Sequence, residues 1–331
     1  MAKGRLEVGT AVAEPGKWTR GELVLGYYPD GPITSPVNIL CGRQPGPTLW
    51  VQGCIHGAEI GGTIGTLRLI QRLDPNAMSG TIVQVTQANP LAFRAPERNT
   101  PVDGENLNRV FPGSREGAHS RQAAAILFET ALDVADAMMD LHSGGEEAVV
   151  PFYALYWDDG SDAAKESGRL ARAAGTPDIW ASRDGWLGGA MFTNFTKRGK
   201  PALIIECGGG GPLPDQHIDN FTRAVEGVAR AMGILAGPPA RQERYRLMRE
   251  CLLVYNRMGG FLLPEVEAGD VVAKGQVVAR LMNPHGDIVE EMVSPNGPAY
   301  IAAIRRRYLP VHSGAMIAEC IAIVDDADAG A

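Results

Sequence analysis

Three times along this chain an apolar run ends in a histidine or a glutamate that is followed at once by small residues, and this recurrence limits the folds open to it. The first instance is Leu49-Trp50-Val51-Gln52-Gly53-Cys54-Ile55-His56-Gly57-Ala58-Glu59-Ile60-Gly61-Gly62. Leu49 to Val51 read as a buried strand, the glycines as a sharp turn, and Ile60, Ile64, Leu67, Ile70 and Leu73 as one face of a helix. His56 is then expected at the carboxyl end of a strand, with Glu59 in the turn or first helical turn beyond it. In an open α/β sheet that edge is where ligands bind. The second instance runs from Val134 to Gly145 and ends in Asp140-Leu141-His142; the third is Pro201-Ala202-Leu203-Ile204-Ile205-Glu206 before Gly208 to Gly211. Taken singly, each polar residue has a plainer role: His56 caps a helix, Glu59 complements its dipole, His142 is structural. Together they suggest one site.

At 331 residues and 45% hydrophobic the chain is long enough for two domains or one large one. A net charge of −7 argues against a nucleic-acid-binding surface. The basic triplet Arg305-Arg306-Arg307, flanked by Ile304 and Tyr308, reads as a solvated strand face or turn. No run approaches the ~18 apolar residues of a membrane span. Met1 to Glu7 has no apolar signal core. Five cysteines without a CxxC pair fit reduced thiols in a cytoplasm. Assembly into a homo-oligomer is left open.

In chain order, residues 1–48 carry short apolar stretches (22–26 and 37–41) broken by Gly and Pro, expected as antiparallel edge strands. Thr81 to Thr86 is a second β-rich run, and residues 89–113 form a long polar loop with little periodicity, a type that is usually functional. Its arginines Arg94, Arg98 and Arg109 can grip carboxylate or carbonyl oxygens; Arg94 is expected to be solvated. Helices are expected over 120–132, 162–174 and 216–235. The aromatics Phe152, Tyr153, Tyr156, Trp157, Trp180 and Trp186 are either core or the wall of a substrate pocket. Gly237-Pro238-Pro239 marks a boundary, so the expected domains are 1–238 and 239–331. The second is all-β and looks like a barrel-sandwich module of the biotinyl/lipoyl kind, but Ser294 to Tyr300 lacks a carrier lysine. His285 and His312 there are expected at the surface.

Two histidines and one carboxylate leave the fourth position of a zinc ion open, as catalytic sites do. Zinc lowers the pKa of water toward about 7 and polarises a carbonyl. Hydrolysis of an amide also needs a base that moves the water proton to the leaving amine, for which Glu206 is the candidate. Arg98 suits the developing oxyanion; Arg109 beside Asn108 suits a substrate carboxylate. Asp140, two residues before His142, points to the same side of its strand and could orient the imidazole or pair with an arginine.

The ordered set His56-Gly57-Ala58-Glu59, Asn89-Pro90, Asn106-Leu107-Asn108-Arg109 with Phe111-Pro112-Gly113, Asp140-Leu141-His142 and Glu206 before the glycines resembles the succinylglutamate desuccinylase/aspartoacylase family, relatives of the zinc carboxypeptidases. It spans about residues 47–211 and looks most like the N-acetyl-diaminobutyrate deacetylase branch. The resemblance implies an α/β fold with a mixed central sheet and helices on both faces. It implies a single Zn2+ held by His56, Glu59 and His142, Glu206 as general base, Arg98 on the acyl carbonyl, and Asn108 and Arg109 on the substrate carboxylate. The expected activity is removal of an acyl group from an N-acyl amino acid or related small linear amide. The alternatives are a carboxypeptidase acting on short peptides and a binding protein that kept the fold without the chemistry. Trp186 and Phe192 point toward a bulkier or less acidic substrate than succinylglutamate or N-acetylaspartate.

Overall fold

The computed structural model describes residues 6–328. After a small hairpin of β1 (Glu7–Val8) and β2 (Ala11–Val12), β3 (Lys17–Tyr28) and β4 (Gly31–Cys41) pair antiparallel across a tight Pro29-Asp30 turn, the edge strands expected from 1–48. Then β5 (Gln44–Gly53), α1 (Gly61–Arg72) and β6 (Ser79–Val85) make a parallel β-α-β unit. A short α2 (Pro90–Arg94) and a 3-10 turn at Leu107–Arg109 break up the segment expected as an irregular loop. Asn89 starts α2 by accepting the Ala92 N–H at 3.2 Å, and Pro90 sits at its first position, a local signal that outweighs the lack of periodicity.

The chain continues through α3 (His119–Val134), β7 (Ala137–His142), β8 (Ala148–Trp157), α4 (Asp162–Ala173), β9 (Asp178–Ser182), α5 (Met191–Lys197), β10 (Ala202–Gly209) and α6 (Asp215–Ala231). After 231 no further helix occurs among the described residues. The strands there are β11 (Arg244–Tyr255), β12 (Gly260–Pro264), β13 (Val271–Val272), β14 (Val277–Met282), β15 (Ile288–Val293), β16 (Ala299–Arg305), β17 (Pro310–Val311) and β18 (Met316–Asp328).

Among the described residues twelve strands form one mixed sheet in the order β13-β16-β18-β11-β9-β8-β10-β7-β5-β6-β4-β3, and four C-terminal strands form a separate antiparallel sheet, β15-β14-β12-β17. The central strands of the sheet are buried on both sides, and their two-residue period sorts the core. Trp50, Met138 and Ile204 point to the side covered by α3 and α5, whereas Leu49, Val51, Met139, Leu203 and Ile205 point to the side covered by α1, α4 and α6. Each such fully buried side chain contributes about 1.5–3 kcal/mol. Near-continuous apolar runs in β5, β7 and β10 are what burial on both faces requires. These three strands are adjacent and parallel, in the order β10-β7-β5. Their carboxyl ends therefore open at one edge of the sheet. None of the described helices is long and apolar enough to cross a membrane.

Candidate active site

The three polar residues that end the apolar runs meet at that edge. Glu206 stands opposite His142 in the β10–β7 register, and Gly53 opposite Leu141 in the β5–β7 register. Beyond β5 the chain turns sharply. Cys54 takes a left-handed conformation at φ 54°, and its buried thiol contacts the Glu59 carbonyl at 3.7 Å and Thr63 Oγ1 at 3.5 Å. A β-carbon at Gly57 would lie 1.8 Å from the Ala92 carbonyl oxygen, so only glycine lets α2 close over the turn.

Within this turn the Glu59 carboxylate lies between two imidazoles. Its Oε1 is 2.9 Å from His56 Nδ1 and its Oε2 is 2.9 Å from His142 Nδ1. The Ser143 N–H donates to Oε2 at 3.3 Å, and Arg98 Nη1 stands 3.5 Å from Oε1. The rings of His56 and His142 meet edge-on with centroids 5.1 Å apart. All three residues are buried, and their ligand atoms lie within 4.8 Å of one another. Both outer nitrogens have company: His56 Nε2 is 3.2 Å from Asn106 Oδ1, and His142 Nε2 is 3.1 Å from Asp140 Oδ2 and 3.2 Å from Asn108 Nδ2. With Nε2 occupied in each ring, the Nδ1 atoms are the ones left to converge, the arrangement by which outer partners orient metal-binding imidazoles. Two imidazoles and a carboxylate are a donor set that zinc accepts, and this buried group is able to hold a metal ion.

Electrostatics separates members of the cluster. Burial, aided by Arg98, lowers His56 to about 4. Burial alone also works against a charged His142, but the Asp140 and Glu59 carboxylates overcome it and raise its pKa. Burial likewise disfavours the Glu59 carboxylate, yet the two imidazoles hold it below its ordinary range. Glu206 goes the other way: burial, with Glu59 and Glu319 nearby, pushes it up to about 8, and its Oε2 has no hydrogen-bond partner among the described residues.

Around this cluster lies a cavity of about 350 Å3 that His56, Glu59, Arg98, Tyr153, Glu206 and Glu319 help to line. A smaller recess behind it is bounded by Asn108, Arg109, Leu155, Trp180 and Trp186. The Arg98 side chain is 57% exposed at the rim. Arg109 is deeper: Nη1 donates to the Asn108 carbonyl at 2.8 Å, and the guanidinium lies 5.1 Å from the Trp186 ring centre. Burial and Arg98 lower Arg109 to about 10, and it makes no ion pair among the described residues. The buried Asn108 amide accepts the Met191 N–H at 3.0 Å through Oδ1 and turns Nδ2 to His142.

All seven residues expected at the site thus surround one cavity system. The aromatic group divides: Tyr153, Trp180 and Trp186 form pocket wall, whereas Phe192 is fully buried core under α5 and does not shape the pocket. Its helical position sends it to the sheet, which a count of aromatics does not reveal. Arg94, His285 and His312 are exposed, as expected. Glu319, on β18, is one of the lining residues that the sequence analysis did not place at the site, and the one among them that reaches both the cavity and its recess. The one available signal was an acidic residue inside the apolar run Met316 to Val324.

At and just beyond the ends of parallel strands of a mixed α/β sheet, this chain thus gathers a buried His-Glu-His group able to hold a metal ion, with Glu206 on the same cavity. The model of the succinylglutamate desuccinylase/aspartoacylase catalytic domain matches residues 45–232, and the chain belongs to that family. It is 29% identical over 256 residues to the N-alpha-acetyl-L-2,4-diaminobutyric acid deacetylase of Halomonas elongata, covering 76% of this chain and 75% of that protein. An aspartoacylase family protein of Mesorhizobium loti superposes with a TM-score of 0.79 at 26% identity, covering 96% of this chain and 99% of that one. The product-bound ectoine utilization protein EutE (DoeB) of Ruegeria pomeroyi shares the fold, with a TM-score of 0.83 at 23% identity, covering 92% and 95%.

Proposed function

We propose that the protein is a zinc-dependent deacylase that removes the acyl group from a small N-acyl amino acid or related linear amide. The observation that carries this reading is the meeting of His56, Glu59 and His142 with Glu206 in one cavity, at adjacent parallel strand ends. Membership of the family and the acetylamino-acid deacetylase among its relatives support the substrate class. A cavity of about 350 Å3 has room for an amino-acid-sized ligand.

His56, Glu59 and His142 would hold the ion, which when bound supplies Lewis-acid polarisation of the acyl carbonyl and acidifies the water beside Glu206. Glu206 takes the proton of the attacking water and passes it to the leaving amine. Burial suits it to both halves of that task, because a carboxyl that keeps its proton toward neutrality is a competent acid once it has acted as base. Arg98, exposed at the rim and 3.5 Å from Glu59, donates to the acyl oxygen as negative charge develops there. Arg109, half-buried and without an ion pair among the described residues, takes the substrate carboxylate; Asn108 adds the second N–H of the amide it turns toward His142. We also propose that 1–238 supplies the catalytic residues, and that 239–331, a barrel-sandwich-like stretch whose strands β11, β13, β16 and β18 extend the same sheet, supports it structurally rather than acting as an acyl carrier.

The test is a zinc-loaded activity screen over N-acyl amino acids, with dipeptides as a separate arm. Release of the acyl group, with a loss of about 10²–10⁴-fold in kcat for Glu206→Gln, is the expected result. Dipeptide cleavage in its place would assign a carboxypeptidase; metal binding without turnover of any amide would assign a binding protein.

A further inference from the structure

A second basin, of about 330 Å3, adjoins the main cavity, and the hydrolytic scheme gives it no task. It borders the main cavity through Ala58, Pro96, Ser143 and Gly145, yet it shares no residue with the recess that Asn108, Arg109 and Trp186 bound. His56, Glu59 and His142 line the cavity that joins the two. The walls of the basin are largely apolar. Ile60 and Gly61 stand at the start of α1, Phe93 lies on α2, and Pro212 and Leu213 precede α6. The glycine run beyond Glu206 brings the last two there. Gly208 to Gly211 hold φ of 81°, 115°, 77° and 111°, a path that favours glycine and carries the chain from β10 to Pro212. A β-carbon at Gly61 would lie 3.1 Å from Leu213 Cδ1, so this loop packs directly on α1. Ile60 is 37% exposed, and Phe93 and Leu213 are half-buried. No lining residue is cationic; the one charged member is Glu146, which is exposed.

We propose that this basin receives the acyl half of the substrate and takes an uncharged chain several carbons longer than acetyl. The inference rests on the deacylase reading. With its carboxylate on Arg109 the amino-acid half fills the recess, and the scissile amide lies beside Glu206. The acyl chain then leaves the cavity on the other flank, where the basin opens. A chain that ends in a carboxylate, such as succinyl, meets Glu146 there and no arginine or lysine, so its charge has no partner. A methyl-terminated chain covers Ile60, Phe93 and Leu213 instead. Acetyl, the acyl group in the name of the Halomonas elongata relative, would cover little of the basin. In the hydrolysis the water oxygen bonds to the acyl carbon and the C–N bond breaks. The amine leaves with the proton that Glu206 carries, and a short-chain fatty acid remains.

The experiment compares the Nα-acetyl, Nα-butyryl, Nα-hexanoyl and Nα-succinyl derivatives of alanine and of 2,4-diaminobutyrate on the full-length zinc-loaded protein. From acetyl to hexanoyl, kcat/KM should rise about two- to fourfold per added methylene on either amine, and succinyl should fall below butyryl. In Leu213→Trp, whose larger ring fills the basin, the hexanoyl-to-acetyl ratio should collapse toward one or below. Calorimetry gives a readout without turnover: hexanoate should bind the wild type more tightly than acetate or succinate does. An acetyl or succinyl derivative cleaved faster than the hexanoyl one on both amines would overturn the proposal and leave the deacylase reading standing. So would a hexanoyl preference that survives in a folded Leu213→Trp; should that variant not fold, the order of the wild-type rates and affinities decides. Failure of the wild type to hydrolyse any of the derivatives would end the deacylase reading and this inference with it.

Discussion

His56 and His142 flank one carboxylate at equal distance, yet their neighbours drive them apart, the first toward neutrality by burial and Arg98, the second toward charge by Asp140 and Glu59. A dication bound there, as proposed, would take the place of a proton between the two rings and the carboxylate. The same reasoning gives Glu206 a pH signature. Its folded-state pKa of about 8 stands above the ordinary 4.5, so its contribution to metal-free stability is complete below 4.5 and lost as pH rises toward 8. A bound dication favours the carboxylate, so the ascending limb of kcat/KM should fall between those two values and disappear in Glu206→Gln. Arg109→Ala should weaken binding of carboxylate substrates by about 1.5–3 kcal/mol, read as a raised KM. Arg109→Lys should restore little, since an ammonium lacks the planar fork that stacks on Trp186. An unchanged KM would remove Arg109 from the site. Burial pushes Cys54 and Cys207 up to about 11, so at pH 8 both should resist a thiol reagent in the native protein and react at once in denaturant.

The elements that carry the site were legible because their physics is local. An apolar run for burial, a polar terminus and small residues for a tight turn all leave marks within a dozen positions, and β5, β7 and β10 form where those marks stand. Helices α3, α4 and α6 begin or end within a few residues of the bounds that periodicity suggested. What escaped depends on distant partners. Whether Trp186 or Phe192 faces the pocket is decided by how α5 docks, and Glu319 by which residue of β18 meets Ala303. The segment 184–190 also braces Arg109: the Phe111 N–H donates to the Gly189 carbonyl at 3.0 Å, and a β-carbon at Gly189 would lie 2.0 Å from the Arg109 carbonyl oxygen. Gly189→Ala should therefore displace the arginine, raising KM as Arg109→Ala does and destabilising the fold by about 1–3 kcal/mol in urea unfolding. Wild-type KM in a well-folded Gly189→Ala would contradict that coupling.

At the scale of the molecule, the composition change near Gly237 separates two stretches of sequence that share one sheet in space. Residues Arg246–Met248 of β11 run parallel to Asp178–Trp180 of β9, and Ile304 and Arg305 of β16 pair with Val149 and Ala148 of β8. Tyr300 donates to Asp178 at 2.8 Å, and Arg246 meets the other oxygen of that carboxylate at 2.9 Å, locking the two halves together. A chain cut after residue 238 would bare β8 and β9 and lose Glu319, so it should fail to unfold cooperatively and show no deacylation; a soluble, cooperative fragment would contradict this. The central claim, that His56, Glu59 and His142 hold one ion on which hydrolysis depends, is tested most directly by titrating zinc into chelator-stripped protein while following amide hydrolysis. Activity should rise in proportion to added zinc and break at one equivalent per chain in the wild type, with no rise in His142→Ala. Full activity in the stripped protein would contradict it.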